Sequence, residues 1–201
     1  MTQNEFVDHV IEQFKNSNHL IIGGYPCCGK TTISKLISEK IQNCIIIESE
    51  HWLHSEKHRI NNNLSGTHPL SYNIKKSLVD IENLIESREI NLPIYSHDIG
   101  AFKKNQNIKL NDNTKIIFDG VIFTLNEYFN IADLAFLLIP ENYETWLECA
   151  TIRDIQTRYY SKENSIEHNQ RKYNDMEKVI NQSRECIKVH CSHSKNFEYI
   201  F

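Results

Sequence analysis

The 201-residue sequence lacks three features that would each assign it to a particular class of protein. It has no excess of basic residues, since its formal net charge is −4, whereas a protein that coats nucleic acid normally carries a basic face. Its six cysteines have no disulfide-framework spacing, so we expect reduced thiols and a cytoplasmic location. It opens with no charged-then-apolar leader and contains no apolar stretch of membrane-spanning length, so we expect no membrane partner.

A pattern of paired metal ligands is also absent. Near the C-terminal end the residues Cys186, His190, Cys191 and His193 are of ligand type, but no second half with ligand spacing accompanies them, and we expect no zinc site. The composition, 40% hydrophobic and 24% charged residues, is that of an ordinary globular protein. Because the length suits one α/β domain, we assign residues 1–201 to a single domain.

The most informative stretch that is present runs from Gly24 to Thr31 and reads G-x-x-x-x-G-K-T. A short apolar run, Leu20 to Ile22, precedes it, and apolar residues recur at helical spacing after it. A loop between a strand and a helix N-terminus directs backbone N–H groups at an anion. The pattern predicts that a nucleoside triphosphate binds at nine consecutive residues, Gly24, Tyr25, Pro26, Cys27, Cys28, Gly29, Lys30, Thr31 and Thr32. Lys30 would contact the β- and γ-phosphates, and the Thr31 hydroxyl would bind Mg²⁺.

Further apolar runs of strand type alternate with helical patterns along the chain. They lie at Cys44–Ile47, Lys115–Phe118 and Leu134–Ile139, and residues 197–201 could add a final strand. Alternating strands and helices around a phosphate-binding loop predict an α/β fold of the P-loop NTPase type. We expect a doubly wound, mostly parallel sheet of five strands flanked by helices.

Acidic residues stand where two of these strands end, at the edge of the sheet where ligands bind in such folds. Asp119 follows an apolar run that leaves little reason for a charge except a metal, so we predict that it binds Mg²⁺. Glu48 and Glu50 end the second strand, and strand alternation would place both on one face. Either could act as a general base, and we prefer Glu50 because it lies nearer the strand end.

The other segments are assigned more coarsely. Residues 1–18 should hold an N-terminal helix that begins with capping-box spacing at Thr2. Residues 51–112 are interpreted as a substrate-side insertion: an irregular, mobile excursion over 53–70, a helix over 71–87, and a small hairpin from Leu92–Tyr95 and Ile108–Leu110. A lid at 150–165 is implied by the family resemblance that is given next. A last helix should start near Ser165, with an apolar stripe that extends to Ile187.

Six of these stretches, in this order, resemble motifs of the uridine kinase and phosphoribulokinase-like group of P-loop kinases. They are Gly24–Thr31, Ile45–Leu53 (IIIESEHWL), Thr67-His68-Pro69, Leu92–Tyr95, Phe118–Gly120 and Ile152–Arg158. The likeness covers roughly residues 19 to 160, and its specificity lies in the order rather than in any single motif after the loop. It implies a kinase that uses ATP and Mg²⁺ to phosphorylate a hydroxyl of a nucleoside or a similar small metabolite.

The resemblance also implies residue roles. Glu50 takes the place of the catalytic acid that activates the substrate hydroxyl, and Lys30 with the lid residues Arg153 and Arg158 would neutralise phosphate charge. Substrate contacts are implied for Trp52, His68 and Tyr95. The sequence departs from the family pattern chiefly on the nucleoside side, where Thr67 replaces a ribose-binding Asp. A His and an Arg of the family have no match, since Gly100 and Phe102 stand near their places. Cys149–Ala150 and Tyr159–Tyr160 replace further lid residues. We therefore expect an acceptor that is not held in the usual nucleoside way.

Three alternatives stay open at this point. Arg153 and Arg158 lie about 140° apart on a straight helix, so either the helix breaks between them or one is a surface arginine. Trp52 could form a substrate platform or pack at a hinge. The protein could be a kinase, or a regulatory or NTP-hydrolysing module that has lost phosphotransfer. The Asn-Lys-x-Asp motif of GTPases is absent, and the sequence says nothing about oligomeric state.

Overall fold

A computed structural model describes residues 1–193 and 198–201. Its α-helices are α1 Gln3–Phe14, α2 Lys30–Lys40, α3 Glu56–Asn61, α4 Ile74–Ser87, α5 Tyr143–Arg158 and α6 Lys162–Gln182. Its strands are β1 His19–Gly24, β2 Cys44–Glu48, β3 Glu89–Ser96, β4 Ala101–Lys109, β5 Lys115–Asp119, β6 Leu134–Pro140, β7 Ile187–Ser192 and β8 Glu198–Ile200. Short 3₁₀ turns occupy Ser49–Trp52, Pro69–Ser71, Ile122–Thr124 and Asn126–Ile131.

The central sheet has the strand order β2-β5-β1-β6-β7-β8. The first five strands run parallel, and β8 pairs antiparallel with β7 at the edge. The strands β1, β5 and β6 are covered on both faces, and their central residues are fully buried. The predicted α/β fold with a mostly parallel, helix-flanked sheet is therefore confirmed.

The predicted number of strands is wrong, because six strands form this sheet within the described part of the chain instead of five. The additional strand is β7. The sequence pattern assigned Ile187 to the last helix, but α6 ends at Gln182 and Glu185 then adopts a left-handed φ of 56°. Beyond that turn Val189 and Cys191 are buried and alternate with exposed residues, which is the period of a strand. The final strand was predicted at 197–201. Residues 198–200 form β8, whereas Phe197 lies outside the described residues.

The N-terminal helix and the hairpin are found where the sequence predicts them. Thr2 and Glu5 exchange both hydrogen bonds of a capping box at the start of α1. The strands β3 and β4 form a separate two-stranded antiparallel sheet, longer than predicted. No helix in the described ranges combines the length and the apolarity that crossing a membrane requires.

The segment 53–70 was predicted to be irregular, and that is wrong for α3. Ser55 caps this helix by accepting a hydrogen bond from the His58 amide. The segment is also joined to α6 across the molecule, because Ser65 donates to Asp175 at 2.6 Å and Thr67 donates to the Lys172 carbonyl at 3.2 Å. Polar side chains rather than an apolar stripe hold this segment in place, so hydrophobic periodicity could not reveal it.

Candidate functional site

The loop between β1 and α2 requires glycine at both of its ends. Gly24 has a φ of +110°, and a Cβ added there would lie 2.1 Å from the carbonyl oxygen of Leu138 on β6. Its amide donates to the Thr124 hydroxyl at 2.9 Å. Gly29 precedes α2 with a φ of 83°, in the left-handed region that glycine adopts without strain. The loop is therefore fixed against the sheet at one end and continuous with the helix N-terminus at the other.

The carbonyl groups of this loop bond to the protein around it. Trp146 donates its Nε1–H to the Pro26 carbonyl at 2.7 Å, and a ring nitrogen of His193 lies 3.0 Å from the Cys27 carbonyl oxygen. In a trans peptide the next N–H points away from the carbonyl. The amides of Cys27 and Cys28 therefore point away from Trp146 and His193. Successive N–H groups of this kind form an anion-binding concavity.

Lys30 lies against this concavity. Its side chain is buried, and Nζ donates to the Tyr25 carbonyl at 2.7 Å. A buried ammonium group beside a set of amide N–H groups at a helix N-terminus favours bound phosphate. The predicted phosphate-binding residues thus bring a buried ammonium group to a helix N-terminus.

Asp119 ends β5 beside the loop. Its side chain is 2% exposed, and Oδ1 has no hydrogen-bond partner among the described residues. Burial raises its pKa to about 7; Lys30 and a hydrogen bond from Thr31 oppose that shift, whereas Glu50 and Glu48 add to it. A buried carboxylate oxygen without a donor is unfavourable unless the group takes up a proton or a cation binds it. Thr31 and Asp119 therefore suit a Mg²⁺ ion, the prediction made from their sequence positions.

The backbone conformation changes between the two acids at the end of β2. β2 ends at Glu48, and Ser49–Trp52 form a 3₁₀ turn, so strand alternation does not extend to Glu50. The prediction that both acids share a strand face is wrong for this reason. Glu50 accepts a hydrogen bond from the Ser49 hydroxyl at 3.0 Å and lines the cavity described next, whereas Glu48 is exposed and does not line it.

A cavity of about 460 Å³ opens beside the loop. Its wall combines Pro26 of the loop with parts of 53–72, the β3–β4 hairpin, the end of α5 and the middle of α6. Five of the predicted site residues share this cavity, namely Pro26, Glu50, Tyr95, Arg153 and Arg158. The edge of the sheet, the segment 53–72, the hairpin and the end of α5 thus meet at one place.

Two predicted substrate contacts, Trp52 and His68, lie outside this cavity wall. Trp52 is 3% exposed, donates its indole N–H to Asp80 at 2.7 Å and packs edge-on against Phe123. Of the two alternatives for Trp52, the structure favours packing. His68 accepts a hydrogen bond from the Leu70 amide and so caps the 3₁₀ turn Pro69–Ser71. These side chains stabilise the insertion instead of facing the cavity.

The two lid arginines meet at a carboxylate on their own helix. The helix α5 is unbroken through Arg158, so the first alternative, a break between the arginines, is not seen. Asp154 lies between them in angle around the helix and is fully buried. Its Oδ1 is 2.6 Å from Arg153 and 3.4 Å from Arg158. Neither sequence alternative is correct, because two long side chains reach one shared carboxylate without a break.

Lys172 of α6 completes this cluster, and the sequence did not single it out. Its Nζ is 3.0 Å from Asp154 Oδ2 and also 3.0 Å from Asn169 Oδ1. Burial alone would raise the pKa of Asp154, but Lys172, Arg153 and Arg158 together lower it to about 2. Burial lowers the pKa of Lys172, against the attraction of Asp154. The sequence held one signal for Lys172: a lysine on the apolar face of a predicted helix indicates a buried partner of opposite charge.

Arg59 and His97 are further cavity residues that sequence reasoning missed. Arg59 belongs to the segment that was predicted to be irregular. His97 follows the β3 strand, and burial lowers its pKa. No spacing rule singles out either residue, because each reaches the cavity only through the folding of the insertion.

This fold and this site define a kinase-type P-loop protein, a nucleotide-binding phosphotransferase. Residues 20–190 match the model of the family described as Phosphoribulokinase / Uridine kinase family. The chain belongs to that family, which generally uses ATP and Mg²⁺, and the resemblance identified from the sequence is confirmed.

Solved structures share the fold at low sequence identity. A protein described as a possible uridine kinase from Bacillus stearothermophilus is 17% identical with a TM-score of 0.64, over 92% of this chain and 98% of that one. D-glycerate 3-kinase from Cryptococcus neoformans is 8% identical with a TM-score of 0.65, over 98% and 97%. Phosphoribulokinase from Rhodobacter spheroides is 15% identical with a TM-score of 0.61, over 89% and 74%. No curated protein matches the sequence.

Proposed function

We propose that this protein transfers the γ-phosphoryl group of ATP to a hydroxyl group of a small metabolite. The observation that carries the proposal is the single cavity that joins the phosphate-binding loop, the Glu50 carboxylate and the lid arginines. A phosphotransferase needs these three elements within reach of one reacting phosphorus atom.

The residues divide the chemistry between them. Glu50 accepts the proton of the acceptor hydroxyl as that oxygen bonds to the γ-phosphorus, and the bond from phosphorus to the bridging oxygen breaks to release ADP. Lys30 holds the β- and γ-phosphates, while Arg153 and Arg158 face the same cavity and offset the charge on the transferred group. Mg²⁺, when bound, supplies further charge neutralisation, and Thr31 and Asp119 would hold it.

The structure supports an acceptor that is not held as a nucleoside is. The Thr67 hydroxyl lies 2.9 Å from the Ser65 hydroxyl and donates to the Lys172 carbonyl, so it already serves to fix the insertion. At Gly100, a Cβ would lie 2.6 Å from the Glu56 carboxylate. Both positions therefore have structural tasks here.

We also propose that the partner is a small molecule and not nucleic acid or a membrane, and that the protein is cytoplasmic. These proposals rest on the charge and on the cysteine spacing.

An ADP-release assay across nucleosides, sugars, hydroxy acids and vitamins tests this function. We expect ADP release that depends on an added hydroxyl compound. ADP release at the same rate without any acceptor would instead support the NTP-hydrolysing alternative, and ATP binding with no ADP release under any condition would support the regulatory one.

Lys30→Ala tests the nucleotide site itself. It removes the cation placed on the phosphates, and we expect ATP affinity with Mg²⁺ to fall by roughly 10- to 100-fold, since one charge-assisted hydrogen bond contributes about 1.5–3 kcal/mol. Calorimetry measures the affinity. The matched control is Lys40→Ala on the same helix, an exposed lysine paired with Asp8, which should leave ATP affinity unchanged. Equal affinities in both variants would refute the assignment of the loop.

A further inference from the structure

Arg59 is held rigidly in the cavity wall by residues of the insertion. Its Nε donates to the His54 carbonyl at 3.1 Å, and its Nη2 donates to the Tyr95 hydroxyl at 2.8 Å. The guanidinium carbon lies 5.9 Å from the centre of the Tyr95 ring. Gly66 leaves room for this group, because a Cβ there would lie 3.2 Å from Nη1. An arginine fixed in this way loses little further conformational freedom when it binds a ligand.

The charge of Arg59 is not neutralised by a neighbour. Four cationic side chains line the cavity, and the other three, Arg153, Arg158 and Lys172, share the carboxylate of Asp154. Within the ranges 1–193 and 198–201, Arg59 has no carboxylate within ion-pair distance. Guanidinium has five N–H donors, and with one on Nε and one on Nη2 engaged, the other three have no partner among the described residues.

The acids in the same wall do not serve this arginine. Asp98 is ion-paired with Lys103 at 3.5 Å. Glu56 lies one turn before Arg59 on α3 and packs over Gly100. Glu50, the proposed base, accepts its hydrogen bond from Ser49. A partly buried, rigid guanidinium with adjacent free donors matches the geometry of a carboxylate or a phosphate.

Two neutral donors stand beside Arg59. The Tyr95 hydroxyl accepts from Arg59, which leaves its own proton to donate, and burial raises its pKa so that the proton is retained. His97 lines the same cavity, where burial and then Arg158 lower its pKa. Neither group brings a negative charge that would repel an anion.

We propose that the phosphoryl acceptor carries an anionic group, a carboxylate or a phosphate, which Arg59 and Tyr95 bind while Glu50 receives the reacting hydroxyl. This inference rests on the proposed function and names the acceptor class for the same site. It assigns a specificity role to a residue outside the family motifs, on the side of the cavity where those motifs are lost.

Acceptors that differ only in the charged group provide the test. Glycerate is compared with glycerol and ribose 5-phosphate with ribose, with uridine and cytidine as neutral nucleosides, by ADP release at saturating Mg²⁺ and ATP. We expect kcat/KM to be higher for the anionic member of at least one pair. In Arg59→Gln that advantage should fall roughly 10- to 100-fold, while kcat/KM for the neutral member and the KM for ATP stay unchanged.

Two further variants separate recognition from folding. Arg59→Lys keeps the charge and loses the planar fork, so it should recover part of the discrimination. Arg184→Gln removes an exposed positive charge that lies outside this cavity and should leave all acceptor constants unchanged. If Arg59→Gln lowers kcat/KM equally for charged and neutral acceptors, Arg59 is merely structural and the inference is overturned.

Binding measured without turnover distinguishes a failure of this inference from a failure of the proposed function. Each compound is titrated by calorimetry into protein saturated with Mg²⁺ and a non-hydrolysable ATP analogue. An anionic compound that binds wild type but not Arg59→Gln supports the inference even if nothing is phosphorylated. Turnover that favours neutral acceptors, or no binding of either anionic compound, overturns the inference; in the first case the phosphotransferase function still stands.

Discussion

The nucleotide side and the acceptor side of the cavity are built in different ways. On the nucleotide side the groups that are predicted to bind phosphate come from consecutive residues, Gly24 to Thr32, and most of them are backbone amides. On the acceptor side they are side chains from separate elements, such as Arg59 of α3 and Tyr95 of β3. The phosphate-binding part is therefore determined locally, whereas the acceptor part exists only after the insertion has packed against α6.

This difference explains where the sequence departs from its family. A backbone site tolerates Cys27 and Cys28 in the loop, because their side chains are not needed for phosphate binding. It does not tolerate a side chain at Gly24, where a Cβ would collide with β6. The acceptor wall can exchange residues without disturbing the sheet. Thr67 bonds to the Lys172 carbonyl and Gly100 lies under Glu56, so both positions have structural contacts here.

The largest expected effect is on turnover, and it tests whether catalysis can be lost while ATP binding is kept. Glu50→Gln should lower turnover by about 10²–10⁴-fold, the usual contribution of a general base, and leave ATP binding nearly intact. Steady-state kinetics and calorimetry measure the two quantities. Glu48→Gln is the matched control, because Glu48 is exposed and outside the cavity wall. If Glu48→Gln reduces turnover and Glu50→Gln does not, the choice of base is wrong.

A smaller effect, on the free energy of unfolding, is expected when the ion-pair cluster around Asp154 is broken. Asp154 connects the lid arginines of α5 to Lys172 of α6. Asp154→Ala leaves buried positive charge without a partner, so the free energy of unfolding should fall by about 3–5 kcal/mol. Denaturant unfolding measures it. The control is Asp8→Ala, whose exposed pair with Lys40 should contribute at most about 1 kcal/mol. Similar losses in both variants would show that α5 is not anchored to α6 through Asp154.

The smallest expected effect is a pH dependence of the same cluster. The pKa of Asp154 is lowered from 3.8 to about 2 in the folded state, so its contribution is present above pH 3.8 and is lost as the pH falls towards 2. The stability difference between wild type and Asp154→Asn should therefore shrink by about 2 kcal/mol between about pH 5 and about pH 2. Unfolding curves at several pH values measure it. A difference that is constant over this range would contradict the ionised cluster.

Apolar periodicity and motif spacing predicted the parts of the protein whose conformation depends on residues close together in the chain. The strand, glycine-bounded loop and helix around Lys30, and the acid at the end of β5, follow from apolar periodicity and from spacing that phosphate and Mg²⁺ require. The hairpin was also found from its sequence. The errors arose where one pattern fits two structures. Ile187 lies at helical spacing from Ile180, yet it belongs to β7, because the edge of β6 offers unpaired hydrogen-bonding groups.

By itself the sequence determined the family, the fold class and the glycine-bounded loop between β1 and α2, since these depend on backbone conformation and on residues close together in the chain. Only the tertiary structure decided the acceptor side. It ended β2 before Glu50, turned Trp52 into the core, brought Lys172 to Asp154, and placed Arg59 beside Tyr95. The physical reason is that these contacts join polar side chains across 18 to 36 residues and between different elements, and no hydrophobic period records such pairs.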